Sequence, residues 1–148
     1  MDIAPLVYSY IDGRERVSYL ESRLEDVYGY VSTRQDDKRL RPVKTREELF
    51  QGTVFYFTLL NPIIDVAELD SVFSRENGFA VNLMPDTYNK DEIWYEIFSK
   101  NASKASALLQ VMELTHADRL VCFGDNNNDL SMIRAADVGI AVSNACPE

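Results

Sequence analysis

The chain has 148 residues, 46% of them apolar and 11% aromatic, enough for one ordinary folded domain or two small ones. Lys and Arg number 15 against 24 Asp and Glu, and the resulting net charge of −9 argues against nucleic acid bound by phosphate neutralisation and against an anionic membrane surface. No apolar run approaches the roughly 18 residues of a membrane span. The N-terminus lacks the basic start and apolar core of a secretion signal, and Cys122 and Cys146 make no disulfide framework; a soluble, cytoplasmic protein is expected.

In chain order, residues 4–11 and 14–20 are β-rich runs flanking Asp12-Gly13. That dipeptide predicts a two-residue hairpin, because a type I′ turn needs positive φ at both central positions. Tyr8, Tyr10 and Tyr19 would then pack across strands on a half-buried sheet. Residues 21–31 read as a short helix or irregular connection. The stretch 33–45 is polar, with Arg34, Lys38, Arg39, Arg41 and Lys44 interleaved with Asp36 and Asp37. It reads as a solvated loop, or alternatively as a basic patch for an anionic substrate. Thr45 with Glu48 three residues later is a capping-box start to a short helix. Residues 54–60 form a strand ended by Asn61-Pro62, 66–75 a helix, 79–84 a strand stopped by Pro85, and 93–98 a further strand. Such alternation implies a mixed or antiparallel sheet with helices on one face. Trp94 and the tyrosines are read as core packing, with a pocket lining as the alternative.

From Ser99 the pattern changes. Ser103 can cap a helix running to about residue 114, with Ala107, Leu108, Val111, Met112 and Leu114 as its apolar stripe. A strand (119–123), an acidic loop, a helix (128–136) and a strand (138–142) follow. This order implies parallel strands joined by a right-handed crossover. Asp125, Asn126, Asn127, Asn128 and Asp129 sit where the first strand's carboxyl end would deliver them, the usual ligand-binding end of an open α/β sheet. They offer oxygen ligands and hydrogen-bonding groups without sulfur or imidazole, a set suited to a hard cation such as Mg²⁺. A calcium-loop reading starting at Asp125 fails, since the required Gly and Glu positions hold Leu130 and Ala136.

The segment 123–132, with its Gly-Asp-x-x-Asn-Asp core, resembles the fourth motif of the haloacid dehalogenase superfamily, in the form used by the Cof-type, cap-bearing sugar-phosphate phosphatases. Residues 135–145 resemble the strand and turn that follow that motif, and 101–108 resemble the third motif, a lysine opening a helix. The resemblance implies an α/β protein: a cap over residues 1–98 and part of a Rossmann-like core over 99–148. It further implies Mg²⁺-dependent hydrolysis of a small phosphorylated metabolite through an aspartyl-phosphate. Asp125 and Asp129 would serve the metal. Lys104 would meet the phosphoryl oxygens as a catalytic point charge, and Asn128 would support substrate or loop. Helix capping by Asp125 and Asp129, and an exposed surface role for Lys104, are the plainer alternatives. Lys100 is a weaker candidate for the lysine, His116 is expected at the surface, and Asn144 falls near the site or in a turn.

The family's first motif, Asp-x-Asp-Gly-Thr, occurs nowhere in these 148 residues. Its nearest counterpart places Tyr10 where the nucleophile would be, and a phenol cannot form the acyl phosphate. The chain is therefore expected to be the cap and trailing core half of a phosphatase, inactive alone. Its exposed apolar sheet would be covered by self-association or by a complementing core half. A binding or interaction domain derived from such a cap is the non-enzymatic alternative.

Overall fold

Asp12 and Gly13 both have positive φ, 50° and 73°, and turn strand β1 (Leu6–Ile11) directly back along β2 (Arg14–Leu20), with Ile11 opposite Arg14. The expected hairpin therefore opens the fold. This computed structural model describes residues 4–61, 66–73, 78–85 and 92–147, and the chain divides into two compact units, Met1–Ser99 and Lys100–Glu148.

The first unit is built on a six-stranded mixed sheet. Its further strands are β3 (Leu40–Val43), β4 (Thr53–Leu60), β5 (Phe79–Pro85) and β6 (Ile93–Ser99), in the order β3-β2-β1-β4-β6-β5. Only β2 and β3 pair in parallel; the other pairings are antiparallel. β3 falls inside the stretch read as loop, where Leu40 and Val43 are the sole apolar residues of a four-residue strand, too short to show a period. The three arginines there are tied into the unit, whereas Lys38 and Lys44 are exposed. Arg39 forks onto Asp37 and Glu15, Arg41 reaches Ser18, Gln51 and the Glu48 carbonyl, and Arg34 lies 4.1 Å over the Tyr30 ring.

Helices lie on both faces of the sheet, not on one. A 3-10 segment (Glu21–Val27) runs into α1 (Tyr28–Ser32), and these bury Val27 and Tyr30 against Leu6 and Val17. On the opposite face α2 (Arg46–Leu49) buries Leu49 against Val7, Leu20 and Val43. Beside it α3 (Val66–Phe73) sets Leu69 against Leu59, Tyr95 and Ile97. The cause is local: successive residues such as Leu6 and Val7 are both apolar and point to opposite faces. Each buried aliphatic side chain contributes about 1.5–3 kcal/mol. Thr45 accepts from the Glu48 amide while the Glu48 carboxylate accepts from that of Thr45, completing the expected capping box.

The second unit holds α4 (Lys104–Thr115), β7 (Val121–Gly124), a 3-10 turn (Asn127–Asp129), α5 (Leu130–Ala135) and β8 (Val138–Ala141). β7 and β8 pair in parallel, Val121 opposite Val138 through Gly124 opposite Ala141. The predicted stripe of α4 is not a buried one: Leu108 and Met112 are half-buried, whereas Val111 and Leu114 are exposed. Two four-residue strands give a twelve-residue helix too little apolar surface to pack on. Val121 and Phe123, alternate residues of β7, are also exposed, Phe123 to 61%. His116, at the surface as expected, ends α4 in the left-handed region at φ 53°.

Candidate functional site

Ser103 caps α4 by accepting from the Ser106 amide at 3.0 Å, which fixes Lys104 as the first helical residue. From there the Lys104 ammonium reaches across the second unit to Asp129 and donates to its Oδ1. The other oxygen, Oδ2, accepts the backbone N–H of Asp125 at 3.1 Å. Asp129 is buried, its side chain 8% exposed against 49% for Lys104. The Lys104 ammonium holds its carboxyl below the ordinary carboxylate range; burial opposes this and the Asp125 amide assists it.

Gly124 makes this geometry accessible. A Cβ on it would stand 2.6 Å from Cβ of Asp129, so any side chain there would push the buried carboxylate out of place. The loop is further fixed by Asn126. Its Oδ1 accepts the Asn127 amide at 2.8 Å and lies 3.7 Å from Sγ of Cys146. The chain after β8 returns to the same corner: the Val142 amide donates to the Gly124 carbonyl and the Cys146 amide to that of Asp125. Nothing in the sequence signalled Cys146 as part of this corner, since its partner is a backbone carbonyl twenty-one positions earlier. Cys122 is buried in β7, as a small apolar residue should be.

The predicted residues thus separate into two kinds. Lys104 and Asp129 are joined to each other, and Asp129 is joined through the backbone to Asp125. The Asp125 and Asn128 side chains project at the exposed end of β7. Both Asp129 oxygens are engaged by Lys104 and the loop, so Asp125 is the carboxylate turned outward. Oxygen donors at this corner fit a hard cation such as Mg²⁺. Among the described residues, however, no three His, Cys, Asp or Glu side chains converge to hold one, so Asp125 fits such an ion as one ligand and not as a whole site.

A β-α-β unit that sets a carboxylate at the carboxyl end of a parallel strand, with a helix-opening lysine joined to the same loop, defines an α/β protein. The chain belongs to the haloacid dehalogenase-like hydrolase family, whose model matches residues 7–148. It is 44% identical over 57 residues to "Putative phosphatase YxeH" of Bacillus subtilis (strain 168), a stretch covering 37% of this chain and 21% of that protein. Its fold matches the X-ray structure of TM0651 from Thermotoga maritima with a TM-score of 0.64 at 23% identity, covering 99% of this chain and 52% of that one. The sugar phosphatase BT4131, of haloacid dehalogenase subclass IIB, matches with a TM-score of 0.62 at 19% identity over 97% of this chain and 50% of its own. The chain thus spans about half the length of these solved relatives.

Proposed function

We propose that this chain supplies the cap and the metal- and oxyanion-binding part of the core to a Cof-type phosphatase acting on small phosphorylated metabolites of the sugar-phosphate kind. The observation that carries the reading is the Lys104–Asp129–Asp125 arrangement at the end of β7. In this reading Asp125 is a metal ligand. Asp129 positions both the Lys104 ammonium and the Asp125 backbone, and lies close enough to the metal corner to support a water ligand. Lys104, half-exposed and at the N-terminus of α4, meets the phosphoryl oxygens as a fixed positive charge, with the helix N-terminus adding to it. Asn128 holds the loop or substrate from the exposed side. Mg²⁺, when bound, supplies neutralisation of the charge on the transferring phosphoryl group.

No Asp-x-Asp occurs in these 148 residues, so the attacking carboxylate comes, in this reading, from a complementing core half. The same partner covers Val121 and Phe123; a second copy of the chain is the alternative cover. The test is hydrolysis of a generic aryl phosphate, with and without Mg²⁺. It compares the chain alone with the chain mixed with an Asp-x-Asp-bearing polypeptide corresponding to the remaining half of a solved relative. The expected result is no turnover alone and Mg²⁺-dependent turnover in the mixture, abolished by Asp125→Ala. Turnover by the chain alone would overturn the incomplete-site reading. A stable but inert mixture that binds metabolite tightly would instead favour the non-enzymatic role.

A further inference from the structure

One margin of the six-stranded sheet is formed by β5, and the direction of each backbone group along it follows from the neighbouring ladder. The β4–β6 pairing ends with Leu60 opposite Trp94, and one position further the Asn61 amide donates to the Ile93 carbonyl at 2.7 Å. In an antiparallel ladder successive residues turn their N–H and C=O groups to alternate sides. Ile93, Tyr95 and Ile97 therefore face β4, and Trp94, Glu96 and Phe98 face β5. Their partners in β5 are Met84, Asn82 and Ala80, in a register that runs unbroken from Phe79 to Pro85. Phe79, Val81 and Leu83 are left with their amides and carbonyls turned outward. β5 is the last strand in the sheet order, and among the described residues nothing takes up those groups.

The side chains of the same three residues share one face. Val81 is half-buried there against Leu59, Leu69, Tyr95 and Ile97. On either side of it Phe79 and Leu83 stay 41% and 48% exposed, although the Phe79 ring meets Phe73 edge-on at 6.3 Å. No residue from 78 to 85 is charged, in a chain whose net charge is −9. An unpaired, apolar, uncharged strand edge is the form that accepts another strand. Its neutrality lets two copies of an acidic chain meet there without like charges facing each other across the ladder.

We infer that β5 is the contact surface for a second copy of this chain, the two β5 strands pairing antiparallel about a two-fold axis at Val81. In that register Phe79 lies opposite the partner's Leu83, Val81 opposite the partner's Val81, and Leu83 opposite the partner's Phe79. Every outward amide then meets an outward carbonyl. An axis at Asn82 sets Phe79 against the partner's Pro85, which has no N–H to give. An axis at Ala80 or at Leu83 carries one of the outward amides beyond the end of the partner strand. The Val81 register also covers what is exposed, since Phe79 and Leu83 become a cross-strand apolar pair twice over. The same edge serves both copies, so the contact is isologous and closes at two. It is separate from Val121 and Phe123 of the second unit and does not depend on the phosphatase reading.

Amide hydrogen exchange by NMR on the full 148-residue chain, from about 50 µM to about 1 mM, tests this. Protection of the Phe79, Val81 and Leu83 amides should rise with concentration, while that of Ala80 and Asn82, already in the β6 ladder, should not. In a sample mixed from isotope-labelled and unlabelled chain, the Ala80 Hα should show a cross-copy NOE to the partner's Asn82 Hα. This register makes them a close pair, with Cα atoms about 4.5 Å apart. Leu83→Pro removes an outward amide without touching the β5–β6 ladder, and Leu83→Asp sets a carboxylate against the partner's Phe79. Both should keep the circular dichroism spectrum and raise the dimer dissociation constant about tenfold or more. Exchange of the three amides that is independent of concentration overturns the proposal, as does a dissociation constant unchanged in both variants. Protection lost in Phe123→Asp, or gained only when a complementing core half is added, overturns the second copy as the occupant of β5.

Discussion

Replacing Lys104 by Met keeps the length and apolar stem of the side chain and removes only its charge. In the wild type, the buried Asp129 carboxylate is held by one ammonium and one backbone amide. Charge-assisted hydrogen bonds contribute about 1.5–3 kcal/mol. Lys104 is 49% exposed, so screening places the loss at the lower end, about 1–2 kcal/mol. The pH dependence has a definite sign. Asp129 has a depressed folded-state pKa, so its stabilisation is complete above the unfolded value of about 3.9 and disappears as pH falls through the folded one. Urea unfolding from about pH 7 to about pH 3, followed through the amides of the second unit, should show the variant less stable near neutrality and converging on the wild type in acid. A gap that stays constant into acid, or no gap at neutral pH, would refute the claim that the pair fixes this corner.

Three further outcomes follow from the packing. Thr45→Ala removes one arm of the capping box and should cost about 1 kcal/mol in urea unfolding, with the α2 amides losing exchange protection first. Leu6→Ala opens a cavity at a fully buried position and should cost about 2–5 kcal/mol, read from the unfolding of the first unit. Phe123→Asp, at an exposed strand position, should leave the circular dichroism spectrum unchanged and reduce both self-association in light scattering and complementation by a core half. Wild-type chain that scatters as a monomer at every concentration would argue against a second copy as the cover.

Much of this fold could be read from side-chain chemistry alone. Asp12-Gly13 demanded a turn, Thr45 and Glu48 a helix start, and residues 119–123 a strand ending in an acidic loop. The sequence also placed Lys104 at a helix N-terminus, because Ser103 is a cap and nothing before it continues the helix. What it could not show were relations between distant segments. β3 became a strand only by finding β2, and its four residues carry no period. That Asp129 faces Lys104, 25 positions away, depends on how α4 and α5 meet. The stripe on α4 failed as a burial prediction for a related reason: periodicity says which residues share a face, not whether anything lies opposite.

One quiet feature of β3 decides where the first unit can take on more chain. In its parallel ladder the Arg39 carbonyl accepts from Val17, so alternate residues turn toward β2 and the amides of Leu40 and Pro42 point outward, along the sheet's open margin. Leu40 gives its N–H to the Asp37 carbonyl at 3.0 Å, and Pro42 has none to give. A foreign strand arriving at that margin finds no amide to bind, which protects the six-stranded sheet from growing into a polymer. The protection is made of backbone chemistry, so surface charge changes on β3 should leave it intact, whereas Pro42→Val would restore a donor and with it a route to aggregation.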